Sequence, residues 1–228
     1  MIVAVPENDM NAGKFQSATF APSSPIIRPS GAQTKVRDWI VLGVLNGLVV
    51  ALSHLIFSLY LFLGPLAFFM EFFHQSVENL LIASVYLLMA FIAPFRRPFT
   101  LNAVVWSTMG LMQGWWVMFP VAVPTGLLAD AVIRRAVPGR RPGWVLAGFA
   151  FYTTMLSAST YWPYLFLQQS AMMQRMMAMD PGVAAMVNLL TLPFFASILC
   201  VTCLTGLAGG YMALKLITRH FDLETAVR

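Results

Sequence analysis

Apolar residues run without a formal charge from Trp39 to Leu63. A helix of this length, rising about 1.5 Å per residue, reaches about 38 Å, which is enough to cross a hydrocarbon core of roughly 30 Å with some tilt. Five further apolar runs follow, separated by Pro, Gly or charged residues. Together the runs predict an all-α membrane protein, a bundle of six transmembrane helices over residues 38–63, 77–93, 99–112, 115–133, 144–166 and 186–215.

The first predicted span carries two stripes of distinct character. Small residues recur every four positions, at Gly43, Gly47 and Ala51, while polar residues recur every seven, at Asn46, Ser53 and Tyr60. A stripe of small residues lets another helix approach closely, either a helix of the same bundle or one of a partner. The polar stripe predicts a face that points into the bundle.

The segments between the spans carry their own signals. Residues 66–80 are apolar but contain Glu71, His74 and Glu78, which predicts a loop or re-entrant segment before the second span. Residues 169–183 form the last predicted outer loop, whose five methionines indicate an adaptable apolar lid. Pro193 predicts a kink in the sixth span. Pro120 and Pro124 have no backbone N–H to donate, so carbonyls in the fourth span lack their helical hydrogen bonds and need other partners.

Composition and charge agree with a membrane protein. Hydrophobic residues make up 59% of the chain and charged residues 10%, against about 25% charged in soluble domains. The net charge of +5 comes from clusters at the ends of apolar runs, so it indicates membrane topology rather than nucleic-acid binding. With the N-terminus in the cytoplasm, every Lys and Arg except Arg175 falls on the inner side, which predicts that both termini are cytoplasmic.

Three regions follow from this pattern. Residues 1–34 contain Pro6, Pro22, Pro25 and Pro29 among Ser, Asn and Gly, and predict a disordered cytoplasmic tail. Residues 35–220 form the six-helix membrane domain. Residues 221–228 are a short cytoplasmic tail.

Candidate ligand-binding residues gather at the predicted outer ends of the spans. The fifth span places Thr153, Ser157, Tyr161, Tyr164 and Gln168 on one helical face. Aromatic rings with a few placed polar groups suit a small planar or amphipathic ligand, although such rings also form ordinary interfacial belts. The predicted substrate-binding residues are Glu71, His74, Trp115, Trp116, Ser157, Tyr161, Tyr164, Gln168 and Asn188.

Other polar residues have simpler interpretations. Asp130 lies four residues before Arg134, as in an interfacial ion pair. Cys200 and Cys203 share a helical face without a neighbouring His or carboxylate, which indicates buried small residues rather than a metal site. His54 lies on the same helical face as the glycine stripe, where it is either a helix-contact residue or a ligand residue. We expect no metal and no cofactor.

Three motifs, in order along the chain, carry a resemblance to a known family. They are RDWIVLGVLNGL at the first span, PVAVPTGLLADAVIRR at the fourth and GGYMALKLITRHFDLE at the sixth. Over about residues 35–224 the chain resembles the S components of energy-coupling factor (ECF) transporters, most closely the Trep_Strep or MptD-like branch. The family's usual lysine-and-glycine turn after the second span is replaced here by Arg96-Arg97-Pro98.

The resemblance implies a substrate-capturing subunit in the bacterial cytoplasmic (inner) membrane. S components bind a micronutrient at their outer end and work with a transmembrane T component and two cytoplasmic ATPase subunits. The small residues that dock the T component match Gly43, Gly47 and Ala51. Two rivals stay open, namely a stand-alone channel or facilitator and an intramembrane enzyme. The chain has no Walker motif, HExxH or GxSxG, so we expect neither ATP hydrolysis nor catalysis by this chain.

Overall fold

The computed structural model describes residues 33–64, 66–93, 96–112, 114–136 and 142–220. These ranges are mostly helical and contain no strand, which confirms the all-α class. Both predicted tails lie outside the described residues, except for the last two positions of the first. The helices are α1 Gln33–Tyr60, α2 Leu66–Phe72, α3 His74–Leu81, α4 Ala83–Ile92, α5 Pro98–Met112, α6 Phe119–Ala136, α7 Pro142–Phe166, α8 Ala171–Met179, α9 Pro181–Leu189 and α10 Leu192–His220.

Three of the described helices are long and apolar enough to cross a membrane. These segments are Val36–Tyr60, Trp116–Arg135 and Leu192–Arg219, and α3 with α4 adds a fourth if the pair is one span bent by 62°. Helix α5 has only 15 residues. Helix α7 has 25 residues, but its row of Ser, Thr and Tyr lowers its hydropathy. The described residues therefore support three to four spans.

The segment predicted as a loop before the second span is helical. Helix α2 covers Leu66–Phe72, and α3 begins at His74. The helical ladder breaks at Phe73, between α2 and α3, and again at Ile82, whose N–H still donates to the carbonyl of Glu78 at 2.8 Å. The loop alternative was therefore wrong over most of this segment, because its polar residues lie on helices. The re-entrant alternative stays open, since the bent pair α3–α4 fits either a broken span or a re-entrant segment.

The segment predicted as the last outer loop is also helical. The predicted loop over residues 169–183 contains α8 and the start of α9, and Asp180 caps α9 by accepting a bond from the N–H of Gly182 at 2.7 Å. The predicted sixth span starts six residues too early, since α10 begins at Leu192. Pro193 lies in the first turn of α10, where a missing N–H costs no helical bond, so it does not kink the helix interior.

Helix α10 is packed most extensively, against α7, α3 and α4, while α6 lies between α5 and α7. Glycines make the α10 contacts close. A Cβ on Gly206 would lie 3.1 Å from the Cα of Ala150, and one on Gly210 would lie 2.5 Å from a methyl carbon of Leu146. The small face predicted at Gly206 and Gly210 is therefore a packing surface. Helix α1 packs mainly against α4, at the edge of the bundle.

The bundle has two ends of different chemistry. At the basic end, where α1 and α5 begin, Arg96 Nε lies 3.4 Å from Asp38 Oδ2. The C-terminus of α6 lies at the same end, since Asp130 in its last two turns accepts a hydrogen bond from the N–H of Phe99 at the start of α5. The opposite, aromatic end is a second buried cluster around Phe72, built from α2, α7, α8, α9 and α10. Its buried members are Phe72, Tyr161, Tyr164, Met173, Val183, Met186, Val187, Leu190 and Ile198.

Candidate functional site

The polar stripe of α1 faces the interior of the bundle, and its stripe of small residues lies on the exposed surface. Asn46, Ser53 and Tyr60 are buried, which confirms the predicted polar face toward the interior. Gly43 and Gly47 are exposed, and a Cβ on either would meet no atom within 4 Å. Ala51 is exposed as well. The small stripe therefore does not pack against the described part of the bundle.

The polar interior begins with a fully paired chain of hydrogen bonds. The hydroxyl of Tyr152 donates to Asn102 Oδ1 at 2.6 Å, and Asn102 Nδ2 donates to Asn46 Oδ1 at 2.9 Å. Asn46 Nδ2 in turn donates to the Leu42 carbonyl at 2.9 Å. This chain ties α7, α5 and α1 together. Because its members satisfy one another, it has the character of a structural link.

Toward the aromatic end the polar interior changes to groups that lack partners. Ser53 lies seven residues beyond Asn46 on α1, about 10 Å along the helix. We define the Glu78 cluster as Tyr60, His74, Glu78, Tyr86 and Trp106, which are linked by the His74–Glu78 contact, the Tyr60–His74 ring contact and the proximity of Tyr86 to Glu78 and Trp106. The described buried polar atoms without a hydrogen-bond partner include four of this cluster, Tyr60 Oη, His74 Nδ1, Tyr86 Oη and Trp106 Nε1. They also include Ser53 Oγ, Asn79 Oδ1, Ser107 Oγ, Ser157 Oγ and Trp162 Nε1, which lie outside it.

Glu78 is the charged centre of this cluster. Its side chain is about 2% exposed, and its Oε1 lies 2.7 Å from His74 Nε2. Gln75 Nε2 donates to Oε2 at 3.0 Å. Residues three and four apart share a helical face, so α3 alone sets this arrangement. The rings of Tyr60 and Phe57 meet the His74 ring edge-on, at centroid distances of 5.7 and 6.0 Å.

Helices α4 and α5 supply the remaining wall. The Tyr86 hydroxyl lies within electrostatic range of Glu78 and next to the Trp106 indole N–H, without meeting hydrogen-bond geometry. The ring of the exposed His54 lies parallel to the Trp106 indole, with the two ring centroids 6.3 Å apart. His54 therefore stands on the exposed face of α1, as its position on the glycine stripe predicted.

The aromatic end brings together several of the predicted binding residues. The Tyr161 hydroxyl donates to the Glu71 carbonyl at 2.6 Å, which ties α2 to α7. Trp115 packs on Tyr164 with ring centroids 5.0 Å apart. Burial raises the pKa of the Glu71 carboxyl, His74 opposes this rise, and Asp180 adds to it.

The other predicted binding residues lie elsewhere. Trp116 is 57% exposed and Asn188 is exposed. Gln168 is half-buried, and its carbonyl accepts a bond from Gln174 Nε2 at 2.8 Å. Ser157 is buried and its hydroxyl has no partner among the described residues. The structure therefore groups Glu71, His74, Trp115, Tyr161 and Tyr164, but not Trp116 and Asn188.

Sequence reasoning missed four residues of the Glu78 cluster as site residues. Tyr60 was marked only as part of the polar stripe. Glu78 follows His74 by four residues, a spacing that puts the two on one helical face. Tyr86 follows Glu78 by eight residues, but the bend at Ile82 hides that relation in the sequence. Trp106 carries no local signal, because only the packing of α5 against α4 brings it into the cluster.

Two smaller predictions can be compared directly. Cys200 is exposed and Cys203 half-buried, both as free thiols, so the prediction that both are buried was wrong. The described His, Cys, Asp and Glu side chains form no group of three or more that could hold a metal ion. A separate open groove beside α1 is almost entirely apolar and is lined by Leu45, Leu48, Ser84, Val85, Leu88, Leu216 and Ile217.

Comparison with known proteins gives one match. A family model described as "Hypothetical bacterial integral membrane protein (Trep_Strep)" matches residues 36–222, which is most of the chain. No curated protein matches, and no solved structure matches.

Proposed function

The chain belongs to the Trep_Strep family of bacterial integral membrane proteins, and we propose that it is the substrate-capturing S component of an ATP-driven importer of the ECF type. It binds a small molecule from the outer side of the cytoplasmic membrane. A T component docks on α1, and two cytoplasmic ATPase subunits supply the energy. The chain crosses the membrane six times with both termini in the cytoplasm, so that α5 and α7 are also spans.

The division of α1 into two faces is the observation that carries this proposal. Its polar stripe is buried beside the Glu78 cluster, whereas Gly43 and Gly47 offer an open, flat surface with nothing within 4 Å. Glycine costs helix stability, so two exposed glycines one turn apart need a reason. Close approach of a partner helix is such a reason, since helix association in lipid depends on close packing.

Charge supports the proposed orientation. The exposed Arg37, Arg135, Lys215 and Arg219 lie near the start of α1 and the ends of α6 and α10. Arg175 lies on α8, which contributes Met173 to the aromatic end. Basic residues near the ends of spans favour the cytoplasmic side. The basic end is therefore the inner end, and ligand enters from the aromatic end.

We propose binding without a chemical reaction. The Glu78 cluster supplies polar groups that recognise a ligand, and its one buried carboxylate is already engaged by Gln75 and His74. A nucleophile held by a base is the usual arrangement for covalent catalysis, and the hydroxyls of Ser53 and Tyr60 are not bonded to His74.

The Gly47→Leu variant tests the docking role of α1. A leucine side chain on the exposed stripe holds a partner helix away, so we expect the T component and ATPases to be lost on co-purification. ATP-driven uptake into proteoliposomes should be lost with them. The isolated variant should keep its thermal unfolding temperature, because no described atom lies near the new side chain.

Gly143→Leu is the matched control, since Gly143 is also exposed with nothing within 4 Å but lies on α7. It should leave co-purification and uptake unchanged. Unchanged partner binding in Gly47→Leu would contradict docking through this stripe. Uptake that proceeds without ATP or partners would favour the stand-alone facilitator instead.

A further inference from the structure

The Glu78 carboxylate lies inside the bundle in a region of membrane depth. Glu78 is 1% exposed and belongs to the bent helix pair that has the length and composition of a span. Ionisable groups at this depth are costly and are commonly kept for a function. A buried carboxylate is stable only with a cation or a full set of donors around it.

The described part of the chain supplies only partial compensation. Gln75 gives one neutral donor to Oε2. His74 reaches Oε1 but balances the charge only when it is protonated, and its Nδ1 has no partner. The basic end is about one helix length away on α1, and Arg175 is exposed on α8.

The remaining polar atoms of the cluster lack hydrogen-bond partners within the described residues. Buried polar groups without partners point to an occupant that is absent from the protein chain itself. Tyr60, Tyr86 and Trp106 contribute unpaired polar atoms together with aromatic rings. The faces of such rings attract organic cations.

We propose that Glu78 anchors a cationic nitrogen of the captured molecule, so that the substrate is a small organic ammonium compound. This inference rests on the proposed function, because only a subunit that captures molecules for transport has a substrate. The ammonium group replaces the His74 contact to Oε1, and the hydroxyl of Tyr60 binds its polar substituents. A divalent metal ion would need more oxygen ligands than one carboxylate provides, and an anionic ligand would be repelled by Glu78.

Three probes of similar size test the charge preference. Benzylammonium, benzyl alcohol and benzoate carry one ring and differ in the charge of the substituent. We expect the full chain in lipid nanodiscs to bind benzylammonium at least about tenfold more tightly than benzyl alcohol, measured by calorimetry and by thermal protection. Benzoate should give no protection. Binding of the ammonium probe no tighter than that of the alcohol would overturn the proposal.

Glu78→Gln tests whether this carboxylate is the source of the preference. Glutamine keeps the side-chain size and an oxygen that accepts from Gln75, so the fold should persist. The variant should bind benzylammonium and benzyl alcohol equally. Asp180→Asn removes an exposed carboxylate at the same end of the bundle and retains a cap for α9, so it should keep the wild-type preference. Equal preference in Glu78→Gln and the parent would contradict the assignment.

His74→Gln separates a ligand anchor from a permanent internal ion pair. If His74 competes with the ligand, the variant binds benzylammonium at least as tightly as the parent does. If protonated His74 is the fixed partner of Glu78, the variant loses thermal stability and the ammonium probe does not restore it. The second result would overturn the proposal.

The two proposals fail separately. If the ammonium preference depends on Glu78 but the chain binds no T component, the proposed ligand class is kept and the importer role is refuted. If ATP-driven uptake is unchanged in Glu78→Gln and the parent shows no ammonium preference, the importer role is kept and the proposed ligand class is refuted.

Discussion

Two buried carboxylates show how surroundings decide the role of a residue. Asp130 accepts bonds from the N–H groups of Phe99 and Thr100 and from the Thr100 hydroxyl, at 3.1, 2.8 and 2.6 Å. These donors open α5, so Asp130 caps that helix from a neighbouring one and its charge meets the positive end of the helix dipole. Glu78 meets the side chains of Gln75 and His74 instead. Asp130 is therefore structural, while Glu78 is only partly paired.

Glu71 makes folding sensitive to pH. Its pKa is raised from the ordinary value of 4.5, first by burial, so the folded protein holds this proton more tightly than the unfolded chain does. The corresponding stability is fully present below about pH 4.5 and is lost as the pH rises through the raised pKa. Glu71→Gln should remove this dependence, as measured by thermal unfolding in nanodiscs over a pH series.

Asp180→Asn provides a second check on the same carboxyl. Asp180 is one of the charges that raise the pKa of Glu71, so its removal should shift the loss of stability to lower pH. Identical pH profiles for the parent and Glu71→Gln would show that this carboxyl does not contribute.

At the scale of helices, glycine has two opposite uses in this protein. On α10, a Cβ at Gly209 would overlap the carbonyl oxygen of Asn79, so this glycine permits the contact between α10 and α3. On α1, Gly43 and Gly47 touch nothing within the described bundle. The first use stabilises the fold, and the second leaves a surface free for another helix.

Alanine substitutions should separate these two uses. Gly209→Ala forces α10 away from α3 and should cost on the order of 1–3 kcal/mol, as overpacking does. Gly47→Ala removes no contact and should be neutral or stabilising by up to about 1 kcal/mol through helix propensity. Thermal unfolding of the two variants in the same nanodiscs measures the difference. Equal destabilisation by both would mean that the α1 stripe is packed after all.

The whole molecule is a bundle with a basic end and an aromatic end, joined by a polar interior. The interior changes from the paired chain of Tyr152, Asn102 and Asn46 to the unpaired Glu78 cluster. The small stripe of α1, residues 43–51, runs along the middle of the same helix, so one helix borders both proposed functions.

Thiol labelling tests the arrangement of this bundle in the membrane. In a background with Cys200→Ala and Cys203→Ala, Ser170→Cys lies before α8 at the aromatic end, and Gly139→Cys lies between α6 and α7. An impermeant thiol reagent added to intact cells should label position 170 only. Both positions should react in opened membranes, which serves as the control. Labelling of position 139 from outside would refute the six-span topology.

The local sequence was sufficient for the helical class, for the buried polar stripe of α1 and for the buried face of α7. These features depend on spacing along one helix, and a helix repeats with a fixed period wherever it packs. The start of α10 was predicted six residues early because α9 is equally apolar. Hydropathy contains no signal for the break at Leu190 and Thr191. The Thr191 hydroxyl accepts a bond from the N–H of Phe194 at 3.4 Å, and Pro193 lies in the first turn, so these residues mark the start of α10.

The sequence by itself determined that this is a helical membrane protein with polar groups inside and basic residues at one end. Hydropathy and charge near the bilayer decide these features without reference to any neighbour. Only the tertiary structure decided which small stripe is packed and which is open, since Gly43–Gly47 and Gly206–Gly210 have the same four-residue spacing. It also decided that Asp130 caps α5 and that Glu78 is left half-paired. The physical reason is that both outcomes depend on the helix that lies opposite, and that helix comes from a distant part of the chain.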